Sequence, residues 1–78
     1  MPSSIFTQRH QELIAFIASV RKAAGITQVE LAARLAKPQS FVSKVERGER
    51  RLDVIEFCQL AEAMGQSPAE LLARFTKE

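Results

Sequence analysis

The sequence predicts an all-α domain built from five helices, and three observations carry that reading. All three glycines, Gly25, Gly48 and Gly65, follow short runs of helix-forming residues, where a left-handed residue commonly ends a helix. Start signals alternate with these stops. Thr27-x-x-Glu30 is a capping box, Asp53-x-x-Glu56 resembles one, and Ser67-Pro68 places proline at a first helical position. No strand alternation, internal repeat or low-complexity tract competes.

The elements then follow in order. Residues 1–7 read as a flexible N-terminal arm whose Ile5 and Phe6 can pack onto a neighbour, and residues 8–78 form the domain. The first helix spans about 8–24, with Leu13, Ile17, Val20 and Ala24 on one face, Ile14 widening it and Phe16 at its edge. The second and third, about 28–35 and 39–47, are too short to be stable alone and depend on the others. The fourth, 53–64, offers Val54, Ile55, Cys58, Leu60, Ala61 and Met64. The fifth, 68–76, offers Leu71, Leu72 and Phe75. These apolar stripes suit a core or a dimer interface rather than a ligand box.

Composition narrows the function. Seventy-eight residues make one domain, able to bury only about 60–65% of the surface of its unfolded chain. Tyr and Trp are absent and five Phe are present, which suits packed helices better than a sheet. A single cysteine, Cys58, leaves no disulfide framework or multi-cysteine zinc site, and its place on the fourth helix suits a packed thiol. The lone His10 has no triad or metal set around it, and no glycine-rich phosphate loop is present. No catalytic residue, metal or cofactor is expected. The apolar stretch Leu13–Ala18 is short and lacks a signal-peptide flank, so a cytoplasmic, membrane-free chain is expected.

Net charge is only +2, but it is unevenly spread. Residues 21–51 hold eight Lys or Arg against three acids, while the flanks hold three against six. Such concentration fits a phosphate-binding face. It fits a solvated surface as well.

Within that basic stretch, Thr27-Gln28-Val29-Glu30-Leu31-Ala32 and Pro38-Gln39-Ser40-Phe41-Val42-Ser43-Lys44-Val45-Glu46-Arg47-Gly48 read as a helix-turn-helix at 28–47. Two short helices that cross steeply need a small residue at the contact and a tight turn. Ala32 is the small residue, flanked by Leu31 and Leu35 and matched by Val42 and Val45. Ala36-Lys37-Pro38 forms the turn. On the third helix, at about 100° per residue, Gln39, Ser43, Arg47, Ser40 and Lys44 fall within roughly 0–140°, opposite Phe41, Val45 and Val42. The polar set suits base edges: Gln can pair with adenine, Lys with guanine and Ser with either donors or acceptors.

These segments, together with Ala61-x-x-Met64-Gly65-x-Ser67, give the chain a resemblance over residues 13–75 to the phage-repressor helix-turn-helix domains of the Cro and cI, or XRE, type. The resemblance implies a compact five-helix, lambda repressor-like DNA-binding fold. It also implies a sequence-specific transcriptional regulator, with its third helix in the major groove of double-stranded DNA. Gln39, Ser40, Ser43 and Lys44 would read bases, with Phe41 within range of a thymine methyl. Thr27, Gln28, Lys37, Arg47 and Arg50 would form the phosphate-contacting and positioning set, Gln28 also bracing the first base reader. Arg21 and Glu46 would clamp the first helix to the third.

Two positions depart from that pattern. Ala36 stands where the turn usually has glycine, implying a turn without positive φ, and Lys37 stands where an apolar residue is usual. The expected form is a homodimeric repressor on an inverted repeat, dimerising through the fifth helix and the arm. A phage repressor, a restriction–modification controller and an antitoxin all satisfy these features. A module that keeps the fold and acts on a protein partner is the alternative from another class.

Overall fold

The computed structural model describes residues 7–77. Its five helices are α1 Gln8–Ala23, α2 Gln28–Leu35, α3 Gln39–Glu46, α4 Val54–Ala63 and α5 Pro68–Thr76, with no strand among the described residues. Each lies within one residue of its predicted span. The expected arm, including Ile5 and Phe6, falls outside the described residues except for Thr7. That threonine caps α1, its hydroxyl oxygen accepting the His10 amide at 3.2 Å.

The helix starts are chemically defined. Complete capping boxes open α2 and α4: Thr27 and Glu30 exchange bonds of 3.0 and 2.8 Å, and Asp53 and Glu56 exchange bonds of 2.7 and 3.1 Å. Such reciprocal bonds satisfy amides that the first helical turn leaves open. Ser67 accepts the Glu70 amide at the start of α5, with Pro68 following it.

The helix ends carry one correction. The α2–α3 turn does contain a positive φ: Ala36 has φ 56° and ψ 41°, a left-handed conformation, against the expectation from its side chain. The cause is hydrogen bonding. Lys37 N–H donates to the Ala32 carbonyl at 3.0 Å and Ala36 N–H to Ala33 at 3.1 Å. That paired closure satisfies the last carbonyls of α2 and requires a left-handed residue at its centre. The same pair of bonds surrounds Gly48, whose φ is 75°, where glycine bears no Cβ penalty. At Ala36 the closure is kept and the strain tolerated.

The core cluster joins Ile17 and Val20 of α1, Ile26 before α2, Leu31 and Ala32 of α2, and Val42 of α3. Leu60, Ala61, Met64 and Leu71 complete it from the C-terminal half. Ala32 is 3% exposed, the small residue the α2–α3 packing needs. Phe16 meets Phe75 with ring centroids 5.6 Å apart, so α1 and α5 touch. One stripe assignment shifts: Ala24 is exposed because it follows the last residue of α1. Of the residues expected in a core or a dimer interface, Val54, Ile55 and Leu72 are exposed and lie outside the core.

Candidate nucleic-acid interface

Helix α3 presents two faces because its two valines are consumed by the interior. Val42 and Val45 are each 1% exposed, while Gln39, Ser40 and Lys44 are exposed and Ser43 is half-buried. Polar side chains are thus left along one side of a helix fixed by its other side. Lys44 forms no ion pair among the described residues. Ser43 donates its hydroxyl back to the Ser40 carbonyl at 3.3 Å, which ties it partly to the helix itself.

Behind this face sits a buried polar junction. Arg21 of α1 donates to both carboxylate oxygens of Glu46, Nε at 2.6 Å and Nη2 at 3.0 Å, and donates its remaining Nη1 to the Ile26 carbonyl at 2.8 Å. Their side chains are only 9% and 8% exposed. Gln28 Nε2 adds a bond of 2.9 Å to the same carboxylate, and its Oε1 lies 3.5 Å from Gln39 Nε2. One carboxylate therefore gathers α1, the start of α2 and the end of α3, and the chain of contacts extends to the first residue of the exposed row. Burial pushes the Glu46 carboxyl up, but the hydrogen bonds from Arg21 and Gln28 and the charges of Arg21 and Lys22 outweigh it. Its pKa lies below the ordinary glutamate value.

The cations that follow α3 are engaged differently. Arg47 turns outward and pairs with Glu49, Nε at 2.9 Å and Nη2 at 3.2 Å. Arg50 grips Glu56 at 2.9 and 2.7 Å and also donates to the Arg51 carbonyl. Hydrogen bonding to those arginines holds Glu49 and Glu56 below the ordinary carboxylate range. Thr27 gives its side-chain oxygen to the α2 cap. Lys37 is exposed, its Nζ 5.0 Å from the centre of the Phe41 ring.

A family profile described as Helix-turn-helix matches residues 17–71. The chain belongs to the XRE-type helix-turn-helix family. An HTH-type transcriptional regulator of Sinorhizobium fredii, y4dJ, is 42% identical over 55 residues, spanning 70% of this chain and 71% of that protein. Among solved structures, an XRE-family like protein from Pseudomonas syringae pv. tomato is 54% identical with TM-score 0.84, covering 88% of this chain and 84% of the other. The restriction-modification controller protein C.AhdI from Aeromonas hydrophila is 31% identical with TM-score 0.72, covering 80% and 94%.

As an XRE-type protein the chain is a DNA-binding transcriptional regulator, not an enzyme. Of the residues singled out from the sequence, Gln28, Gln39, Arg21 and Glu46 form one connected network, while Ser40 and Lys44 lie exposed beside it. Arg47 and Arg50 stand apart from that network, each already on a carboxylate. The XRE-type pattern did not disclose these last two pairings. Arg47 and Glu49 stand two apart and Arg50 and Glu56 six apart, spacings that carry no helical period.

Among the described residues no helix is long and apolar enough to cross a membrane, and no group of acidic, His or Cys side chains is arranged to hold a metal.

Proposed function

We propose that this chain is a homodimeric, sequence-specific repressor that reads an inverted-repeat operator with α3 in the major groove. The observation that carries the reading is the exposed row Gln39, Ser40 and Lys44, held in place by buried Val42 and Val45 and braced through Gln28. Base readers must be fixed to within about 0.5 Å to discriminate, and the Arg21–Glu46–Gln28 junction supplies that fixity. Lys37, Arg47 and Arg50 surround the row as phosphate contacts that set orientation without reading sequence.

An apolar patch supports the dimer. Val54 is 76% exposed and Leu72 47%, and both line a shallow depression with Leu13, Leu52, Asp53 and Phe57; Ile55, which follows Val54, is 64% exposed. A second copy would cover the patch, which adds the start of α4 to the contact expected through α5 and the arm. Recognition helices about 34 Å apart would then meet half-sites one DNA turn apart. A controller of a restriction–modification system is the specific role favoured by likeness to C.AhdI.

The test is base substitution within a selected operator. Lys44→Ala and Gln39→Ala should each lose about 1–3 kcal/mol of discrimination at one base position. Equal losses on every sequence would remove those side chains from base reading. Val54→Lys with Leu72→Lys should yield a monomer by light scattering, and an undisturbed dimer would place the contact elsewhere.

A further inference from the structure

Phe41 lies at the edge of the apolar face of α3. At roughly 200° on the helical wheel it sits beside Lys44, at the border between the valines and the polar row. Its ring is half-buried and packed against the core, so it is fixed. Two cations from separate segments converge on it. The Lys37 ammonium lies 5.0 Å from the ring centroid and the Arg50 guanidinium carbon 4.8 Å, both inside the range of about 6 Å where an aromatic face attracts a cation.

Arg50 is also held from behind. Glu56 binds it at two points, and the same carboxylate receives the Asp53 amide in the α4 capping box. A continuous path thus runs from the start of α4 through Glu56, Arg50 and the Phe41 ring to Lys37 in the α2–α3 turn. Two like charges brought to one ring repel each other, and Lys37 has no ion pair among the described residues. Its charge acts on Glu56 without closing an ion pair, so the ammonium can still meet an anion from outside.

We infer that Phe41 is a positioning residue of the DNA interface, its ring holding Lys37 and Arg50 as a cationic pair for backbone phosphates on the Lys44 flank of α3. This rests on the reading of α3 as the recognition helix. Phe41 acts through the two cations and touches no base, so its contribution is independent of sequence.

The experiment measures binding of the full chain to two fixed 24-base-pair duplexes, one rich in A·T and one rich in G·C, across a salt series. Phe41→Leu preserves apolar packing and removes the ring. It should weaken binding to both duplexes by about 2- to 5-fold, the range expected for one or two such contacts. Its salt dependence should become shallower by about one unit of slope. Phe41→Tyr should restore both quantities, and Lys37→Ala should weaken the wild type more than the Phe41→Leu protein.

Unchanged affinity and slope in a folded Phe41→Leu protein would overturn the inference. So would a loss confined to the A·T-rich duplex, which would indicate contact with a thymine methyl. The wild type supplies a readout that needs no variant: the Lys37 side-chain methylene protons should resonate upfield, shielded by the ring, and unshifted resonances overturn the platform. Failure of the wild type to bind either duplex at low salt would overturn the recognition-helix reading itself.

Discussion

Glu46 and Arg47 are neighbours in sequence, and each takes part in a two-point guanidinium–carboxylate pair, yet the two pairs face opposite environments. Glu46 meets Arg21 with side chains 8% and 9% exposed. Arg47 meets Glu49 with both more than half exposed, at 55% and 53%. In the first pair a third donor, Gln28, and a backbone acceptor, Ile26, satisfy the remaining groups. In the second, water competes for every atom. A buried pair of this kind cannot lose one member without stranding the other, whereas an exposed pair contributes little and exchanges partners readily. The chain uses one residue to fix α3 and the next to present a charge beside it.

Glu46→Ala is the largest perturbation of that comparison. It leaves Arg21 buried with one acceptor, and should cost about 3–5 kcal/mol in urea unfolding. A loss under about 1 kcal/mol would place this pair in the same category as an exposed one. Acid should have a related effect. Because the folded-state pKa of Glu46 is lowered, its contribution is fully present above the ordinary glutamate value of 4.5 and is lost as pH falls through the lower folded value. Glu46→Gln should therefore flatten the acid limb of the stability profile below that pH. An equally steep limb would assign the acid sensitivity to other carboxylates.

The fold was legible because helix ends are written in local chemistry. Thr27-x-x-Glu30, Asp53-x-x-Glu56 and Ser67-Pro68 each opened the helix that they mark in the sequence. The Arg21–Glu46 contact joins residues 25 apart, and nothing local signals it; only resemblance to a family suggested the pair. Ala36 was misread because side-chain preference argued for ordinary φ, while the closing bonds to Ala32 and Ala33 imposed the left-handed region. The partners of Arg47 and Arg50 were hidden because loop residues carry no period from which a face can be inferred. Val54, Ile55 and Leu72 were identified as apolar, but periodicity does not distinguish a face covered by the core from one left for another molecule.

Smaller effects are expected at the exposed pair. Arg47→Ala should leave the melting temperature unchanged and make the salt dependence of DNA binding shallower by about 0.9 unit, one phosphate contact. An unaltered slope would leave Arg47 in solvent. Glu49→Gln removes the carboxylate that occupies Arg47. It should tighten binding to all duplexes alike, and weakened binding would make Glu49 a support for Arg47 instead of a competitor. The smallest change concerns the turn before α3. Ala36→Gly relieves a left-handed Cβ while loosening the unfolded chain, for a net stabilisation of up to about 1 kcal/mol. Destabilisation would show that the Ala36 side chain contributes a contact that outweighs its strain.

On the proposed function, the side chains presented by α3 read sequence as a symmetric pair. Selection of bound duplexes from a randomised pool at near-physiological salt, where non-specific binding is weak, tests it most directly. A symmetric pair should enrich an inverted repeat with half-sites centred about one helical turn, roughly 10 base pairs, apart. Recovery of no motif by the folded protein would contradict it.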